Sequence, residues 1–127
     1  MPEYKEAYLT NRILCCFYNV YGQLGYGFLE KVYEKALMLE FEEKGIKAVS
    51  QSTIPVYYKG RTIGEYFADI LVEDSVIVEV KAVKSLMAEH EAQILNYLKA
   101  TQIEVGLLLN FGPKPEIRRK AFNNSRK

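Results

Sequence analysis

Two neighbouring apolar segments, residues 66–72 and 76–83, constrain the fold most, because charged side chains interrupt them at the spacing of a β-strand. Side chains alternate between the two faces of a strand, so Glu79 and Lys81 share one face, about 6–7 Å apart along the strand. Asp69 interrupts the first segment in the same way. The two segments therefore predict a β-hairpin with acidic and basic side chains in apolar surroundings.

The loop between these strands decides whether the two carboxylates meet. A three-residue loop at positions 73–75 places Asp69 directly across from Glu79, with their Cβ atoms about 5 Å apart. A two-residue loop would pair Asp69 with Val78 and put the carboxylates on opposite faces of the sheet. We predict the three-residue register.

Two carboxylates that lie so close on apolar strands repel each other and are poorly solvated. A proton on one of them, or a cation between them, relieves this repulsion. Hard carboxylate oxygens without nearby Cys or His favour Mg²⁺ or Mn²⁺ over zinc. The strands alone leave an alternative equally open, in which Asp69 and Glu79 face solvent and Lys81 forms an ordinary ion pair.

A third acidic residue lies near the start of a predicted amphipathic helix, residues 28–44, whose apolar residues recur at helical spacing. Gly27, Glu30 and Tyr33 are three apart and form one ridge, where the glycine would allow a close backbone approach. This ridge would let Glu30 face the sheet. The alternative is a solvated glutamate paired with neighbouring lysines.

Taken together, these residues resemble the GxxExxY protein family, which belongs to the PD-(D/E)xK nuclease-like superfamily. The resemblance extends from about residue 8 to residue 111, and Ala68 stands where the superfamily has a proline before the strand aspartate. The matching positions, in the order of the family's motifs, are Gly27, Glu30, Tyr33, Asp69, Glu79, Lys81, Gln93 and Tyr97.

The resemblance implies an α/β fold with a restriction-endonuclease-like core, in which helices flank a mixed central β-sheet. The implied element order is a helix, three antiparallel strands, a helix and a further strand. It also implies a catalytic set in which Lys81 lies beside the attacking water and a Mg²⁺ or Mn²⁺ ion is held by Glu30, Asp69, Glu79 and the carbonyl of Val80.

The remaining site residues implied by the resemblance have supporting roles. Gln93 and Tyr97 are four residues apart on a predicted helix, so they share a face and can hydrogen-bond the carboxylates or a phosphate. Tyr33 would support the site from the first ridge. The alternative for the later pair is a core tyrosine and an exposed amide.

The predicted function is that of a Mg²⁺-dependent nuclease that hydrolyses phosphodiester bonds in DNA or RNA, with nucleic acid as the partner. The alternative is a non-cleaving nucleic-acid-binding or protein-interaction module that retains the nuclease fold. A weaker third hypothesis is a metal-free enzyme in which Asp69 and Glu79 act as an acid/base pair.

The charge distribution is uneven, although the net charge is only +1. From position 114 to the end there are six basic residues and one acidic residue. We predict a single domain over residues 1–127 with a basic C-terminal tail from about 113, which either contacts phosphates or is simply solvated. The predicted nucleic-acid-binding residues are Lys84, Arg118, Arg119 and Lys120.

Several classes of protein are excluded or disfavoured. His90 is the only histidine, which excludes a multi-histidine zinc site, and the adjacent Cys15 and Cys16 are interpreted as reduced packing thiols. We see no signal peptide and no apolar run near the roughly 20 residues that a membrane span needs, so we expect a cytoplasmic protein without a membrane partner. A predicted first helix, residues 4–21, also carries a set compatible with a homodimer contact: Tyr8, Leu9, Arg12, Ile13 and Cys16.

Overall fold

Helices and strands follow one another in the predicted order, with one further strand near the end of the chain. In a computed structural model that describes residues 5–127, the elements are α1 (Ala7–Leu24), α2 (Glu30–Glu43), β1 (Ala48–Tyr58), β2 (Arg61–Val72), β3 (Val76–Lys81), α3 (Ala88–Ala100), β4 (Val105–Phe111), β5 (Pro115–Ala121) and a short 3₁₀ helix, Asn124–Arg126. The predicted first helix began at Tyr4, which lies outside the described residues.

The five strands form one mixed sheet in the order β1-β2-β3-β4-β5. All neighbours are antiparallel except β3 and β4, which are parallel and are connected through α3. Helices α1 and α2 pack together on one face over the larger core, and α3 covers the other face over a smaller one. The predicted α/β fold, a mixed central sheet flanked by helices, is confirmed.

Strand β4 lies in the middle of this layered arrangement. All seven of its residues are buried, because the first core packs against one of its faces and the second core against the other. A continuously apolar strand is expected where helices cover both faces of a sheet.

The hairpin between β2 and β3 has the predicted register. Val72 pairs with Val76, and Ile70 pairs with Val78. The backbone N–H of Ser75 donates to the carbonyl of Val72 at 2.9 Å, yet Ser75 itself stays outside the ladder as an extra residue. Continuing this register by one residue brings Asp69 opposite Glu79, as the three-residue loop requires.

The basic C-terminal segment differs from the predicted tail. Pro115–Ala121 forms β5, which pairs with β4 along its whole length. Its cations are matched by acids, because Lys120 lies 2.6 Å from Glu91 of α3 and Arg118 also approaches Glu91, at 3.8 Å. Much of the segment is therefore part of the sheet.

The outer helix α1 bears on the proposed dimer contact. Ile13 and Cys16 are fully buried in the core, so the suggestion that they belong to a homodimer surface is wrong. Both thiols are free, as predicted, but Cys15 is exposed, so only Cys16 packs in the core. Across residues 5–127, no helix combines the length and apolar character needed to cross a membrane.

Candidate active site

The carboxylates of Asp69 and Glu79 each accept a hydrogen bond from the backbone of the opposite strand, at the point where β2 and β3 separate. The backbone N–H of Asp69 donates to Oε2 of Glu79, and the N–H of Val80 donates to Oδ2 of Asp69, both at 2.7 Å. The ladder between the strands ends one pair earlier, at Ile70 and Val78. The two carboxylates thus take over the backbone pairing where the strands diverge.

Strand β2 is distorted at Asp69, and the neighbouring strand β1 is distorted opposite it. Ala68 belongs to the core under α3, whereas Ile70 belongs to the core under α1 and α2. In an undistorted strand these two side chains would share a face. Gln51, which falls opposite Asp69 in the ladder, has a left-handed backbone with φ of 55°. This local distortion interrupts the alternation predicted for the strand.

Burial makes the acid pair electrostatically strained. Glu79 is only 4% exposed, and its burial, followed by the charge of Asp69, raises its pKa from 4.5 to about 8. Burial likewise raises the pKa of Asp69, an effect opposed mainly by the hydrogen bond from Val80. Two carboxylates in this position favour either a shared proton or a cation.

Lys81 lies at the end of β3 and is half-buried. Its positive charge lowers the pKa values of both Asp69 and Glu79, although the rise caused by burial is larger. The ammonium group therefore acts on both carboxylates, as expected for a lysine two residues after Glu79 on the same strand face.

Glu30 is the first residue of α2 and is exposed. Its charge contributes to the raised pKa of Asp69, which places it within electrostatic reach of the pair. The helix begins after Gly27, whose φ of 113° suits glycine. A Cβ on Gly27 would meet nothing within 4 Å, so the expected close backbone approach is absent there.

Tyr33 supports Glu30 indirectly, by holding the loop before α2. Its buried hydroxyl donates to the carbonyl of Gly25 at 2.7 Å and accepts from the N–H of Phe28 at 3.2 Å. Its ring stacks on Phe111 of β4, with centroids 4.2 Å apart. Tyr33 therefore links the start of α2 to the centre of the sheet.

A second glutamate of α2, which the sequence analysis did not select, lies deeper than Glu30. Glu34 is only 6% exposed and accepts a hydrogen bond from Gln51 Nε2 at 3.0 Å. Its charge raises the pKa values of both strand carboxylates. The available signal was its position, one helical turn after Glu30 and next to Tyr33 on the apolar stripe.

Gln93 and Tyr97 of α3 form the predicted side-chain pair. The amide Nε2 of Gln93 donates to the hydroxyl of Tyr97 at 3.0 Å. Burial and then the charge of Glu79 raise the pKa of Tyr97 to about 12, with a smaller contribution from Asp69. Tyr97 therefore remains a neutral phenol within electrostatic reach of the acid pair.

The loop that follows Lys81 is fastened to β4 by a buried asparagine. Asn110 pairs with Lys81 across the parallel ladder. Its Oδ1 accepts from the N–H of Val83 at 2.9 Å, and its Nδ2 donates to the carbonyl of Val83 and to Glu116. The predicted contact residue Lys84 comes next and is exposed. This arrangement fixes the exit of the strand that carries Glu79 and Lys81.

The remaining predicted contact residues lie on β5. Arg118 and Lys120 are half-buried and are paired with Glu91, as described above. The guanidinium of Arg119 donates to the carbonyl of Lys5. These three predicted phosphate contacts therefore lie on β5, at the edge of the sheet. Their charged groups interact with other residues of the protein.

The site has the donor chemistry of a hard divalent cation, but its ligands are not arranged as a complete metal centre. Each strand carboxylate uses one oxygen for a backbone N–H, and its second oxygen can still accept a ligand. Among the residues from 5 to 127, no three His, Cys, Asp or Glu side chains form a group that could hold a metal ion.

Comparisons with known proteins concern the family and the fold of the chain. The family model described as the PD-(D/E)XK nuclease superfamily matches residues 7–120. The crystal structure of SSO0001 matches with a TM-score of 0.57 and 17% sequence identity, over 73% of this chain and 50% of that chain. At this identity the likeness concerns the fold alone, and the chain spans half the length of SSO0001. No curated protein matches the chain.

Proposed function

Because the chain belongs to the PD-(D/E)XK nuclease superfamily, we propose that it is a divalent-metal-dependent nuclease that hydrolyses phosphodiester bonds. The observation that carries this proposal is the buried Asp69–Glu79 pair at the fork between β2 and β3, with Lys81 acting on both carboxylates. When both carboxylates are ionised they repel each other, and a bound cation would offset this repulsion.

The proposed cation is Mg²⁺ or Mn²⁺, held by oxygens of Asp69 and Glu79, by the carbonyl of Val80 and by Glu30. Val80 is suitable because its N–H is already bonded to Asp69, so its backbone is fixed beside the pair. When bound, such a cation polarises a phosphate oxygen and lowers the pKa of a bound water.

The other residues act on the water and the phosphate. The ammonium group of Lys81 would orient the attacking water or stabilise the charge that develops on the phosphate. The neutral hydroxyl of Tyr97, supported by Gln93, can donate a hydrogen bond to a phosphate oxygen. The proposed substrate is nucleic acid, with Lys84 as the exposed phosphate contact nearest to this strand end and the β5 residues Arg118, Arg119 and Lys120 as peripheral contacts.

The proposal is tested with labelled single- and double-stranded DNA and RNA, incubated with Mg²⁺, Mn²⁺ or a chelator. Glu79→Gln keeps the shape of the side chain and its hydrogen-bond acceptor but removes the charge. We expect Glu79→Gln and Lys81→Ala to lower the cleavage rate by about 100-fold or more. The matched controls are Glu65→Gln, an exposed carboxylate of β2, and Lys114→Ala, an exposed lysine, both of which should keep the wild-type rate.

Calorimetry with the same variants separates binding from chemistry. We expect Mn²⁺ to bind the wild type and to bind Glu79→Gln more weakly, because one charged ligand is lost. Cleavage that is equal in the wild type and in both site variants would contradict the proposal, as would cleavage that persists in chelator.

The second candidate function is a non-cleaving nucleic-acid-binding or protein-interaction module with the same fold. It is favoured by the absence, among residues 5–127, of three acidic side chains grouped as a metal site. In that case the wild type would neither bind Mn²⁺ nor cleave any substrate of the panel. A homodimer and a cytoplasmic location remain proposals, which sedimentation analysis and cell fractionation would test.

A further inference from the structure

A groove of about 880 Å³ lies between α3 and the hairpin formed by β1 and β2. Its walls include three tyrosines from three different elements: Tyr57 of β1, Tyr66 of β2 and Tyr97 of α3. Two side-chain amides of α3, Gln93 and Asn96, also line it. The groove is of the size expected for a ligand site, between about 300 and 1,000 Å³.

The rings in this groove are open to solvent. Tyr57 is 62% exposed and Tyr66 is 52% exposed. The ring of Tyr66 contacts the ring of Tyr97 in a tilted arrangement, with an interplanar angle of 41° and centroids 5.9 Å apart. The ring of Tyr66 is therefore only partly covered. Aromatic rings exposed in a groove with adjacent amides can take up a flat heteroaromatic ring by stacking, while the amides hydrogen-bond its edge.

The groove shares two residues of α3 with the candidate active site. Tyr97 is both a wall of the groove and a neighbour of the acid pair, since the charges of Glu79 and Asp69 act on its hydroxyl. Gln93, which donates to that hydroxyl, belongs to both regions as well. A base that enters the groove would therefore contact two residues that also neighbour the acid pair.

Charge at the end of the hairpin suits the same ligand. The turn between the two strands carries Lys59 and Arg61, both exposed. Residues 70–72 of β2 pair with β3, whereas the part of β2 before them pairs with β1 alone, so these cations lie at the end of a two-stranded hairpin. Exposed cations beside exposed aromatic rings are the combination that binds single-stranded nucleic acid.

We propose that this groove binds an unpaired base of the nucleic acid, held between Tyr57 and Tyr66 and read at its edge by Asn96. The inference rests on the proposed function and adds to it a substrate class, namely a single strand or a locally unpaired segment. A base within a duplex has both faces stacked on its neighbours, so it offers no free face to these tyrosines.

The test measures the binding of oligonucleotides that contain 2-aminopurine, a fluorescent base whose emission falls when it stacks on an aromatic ring. Ca²⁺ is used as the oxygen-binding cation, and gel analysis verifies that the strands stay intact. We expect the wild type to bind the single strand more tightly than a blunt duplex and to quench its emission. We expect Tyr66→Leu and Tyr57→Leu each to weaken single-strand binding by about tenfold.

Two control variants isolate the role of the rings. Tyr66→Phe keeps the ring and should keep both affinity and quenching. Tyr8→Leu removes a tyrosine of the remote helix α1 that is more exposed than either groove tyrosine, and this variant should bind like the wild type. Thermal unfolding of each variant verifies that it is folded.

The outcomes distinguish this inference from the function on which it rests. Unchanged binding by both leucine variants, or a preference for duplex, would overturn the base-binding groove while metal-dependent cleavage could still stand. Equal losses in Tyr66→Phe and Tyr66→Leu would also overturn stacking, because the ring would not be what matters. An absence of both binding and cleavage would refute the groove and the nuclease together.

Discussion

The stability of the metal-free protein should fall as the pH rises, and Glu79→Gln should abolish most of that fall. In the unfolded chain Glu79 has its ordinary pKa of 4.5, and in the folded protein its pKa is about 8. Between these two values the folded state binds a proton that the unfolded state has released. The contribution of Glu79 to the free energy of unfolding is therefore fully present below about pH 4.5. It is lost progressively up to about pH 8 and does not change further above that pH.

The magnitude follows from the width of that window. Each pH unit within it changes the free energy of unfolding by up to about 1.4 kcal/mol. Across the window, the ionisation of Glu79 should thus lower the free energy of unfolding by about 3–5 kcal/mol. That is a large part of the roughly 5–15 kcal/mol typical of a domain. Asp69, whose pKa is also raised, adds to the effect in the same direction.

The assay is urea unfolding at a series of pH values from 5 to 9, with a chelator present, for the wild type, Glu79→Gln and the exposed control Glu65→Gln. At pH 5 the wild type and Glu79→Gln should have similar stabilities, because a protonated carboxyl and an amide have the same shape and no charge. At pH 9 Glu79→Gln should be the more stable protein by several kcal/mol. Glu65→Gln should follow the wild type throughout.

Addition of Mg²⁺ provides the complementary measurement. A cation that binds the ionised pair should stabilise the wild type more at pH 8 than at pH 5.5, because at the lower pH it competes with the proton. If the stability difference between Glu79→Gln and the wild type does not depend on pH, then the carboxylates are not electrostatically strained. The main physical support for a cation site would then be lost.

Three further variants test the residues that position the site. Tyr33→Phe removes the hydroxyl that bonds Gly25 and should lower the free energy of unfolding by about 1–2 kcal/mol in urea titration. Asn110→Ala leaves both backbone groups of Val83 without partners and should lower it by about 2–4 kcal/mol. Glu34→Gln keeps an acceptor for Gln51 but removes a charge beside the acid pair, and should weaken Mn²⁺ binding about tenfold in calorimetry.

Matched controls come from exposed positions of helices α1 and α2. Tyr18→Phe and Asn11→Ala lie on α1, and Glu42→Gln lies on α2; each is exposed and should leave stability and Mn²⁺ affinity near the wild-type values. A Tyr33→Phe or Asn110→Ala protein as stable as its control would contradict the proposed bonds. Equal Mn²⁺ affinity in Glu34→Gln and Glu42→Gln would exclude Glu34 from the site.

Local rules were sufficient for the hairpin that carries the acid pair. The period of two along a strand places Glu79 and Lys81 on one face, and the loop length sets the register, so Asp69 and Glu79 could be brought together from the sequence. The bond between Gln93 and Tyr97 follows from helical spacing in the same way. In each case the partners are near one another along the chain, which makes their geometry a property of one element or one hairpin.

The features that sequence reasoning missed all depend on partners from distant segments. Glu34 accepts a hydrogen bond from Gln51, a residue of another element whose backbone departs from regular strand geometry. The basic segment after residue 113 pairs with β4 as a strand, and Glu91 of α3 offsets the charges of Arg118 and Lys120.

In the proposed base-binding groove, Tyr97 of α3 joins Tyr57 and Tyr66 only because the β1–β2 hairpin packs across α3. The sequence by itself therefore determined the fold class, the register of the acid pair and the chemistry it suggests. The tertiary structure alone decided which charges are buried and which surfaces adjoin the site, because burial and long-range proximity arise from packing between elements far apart in the chain.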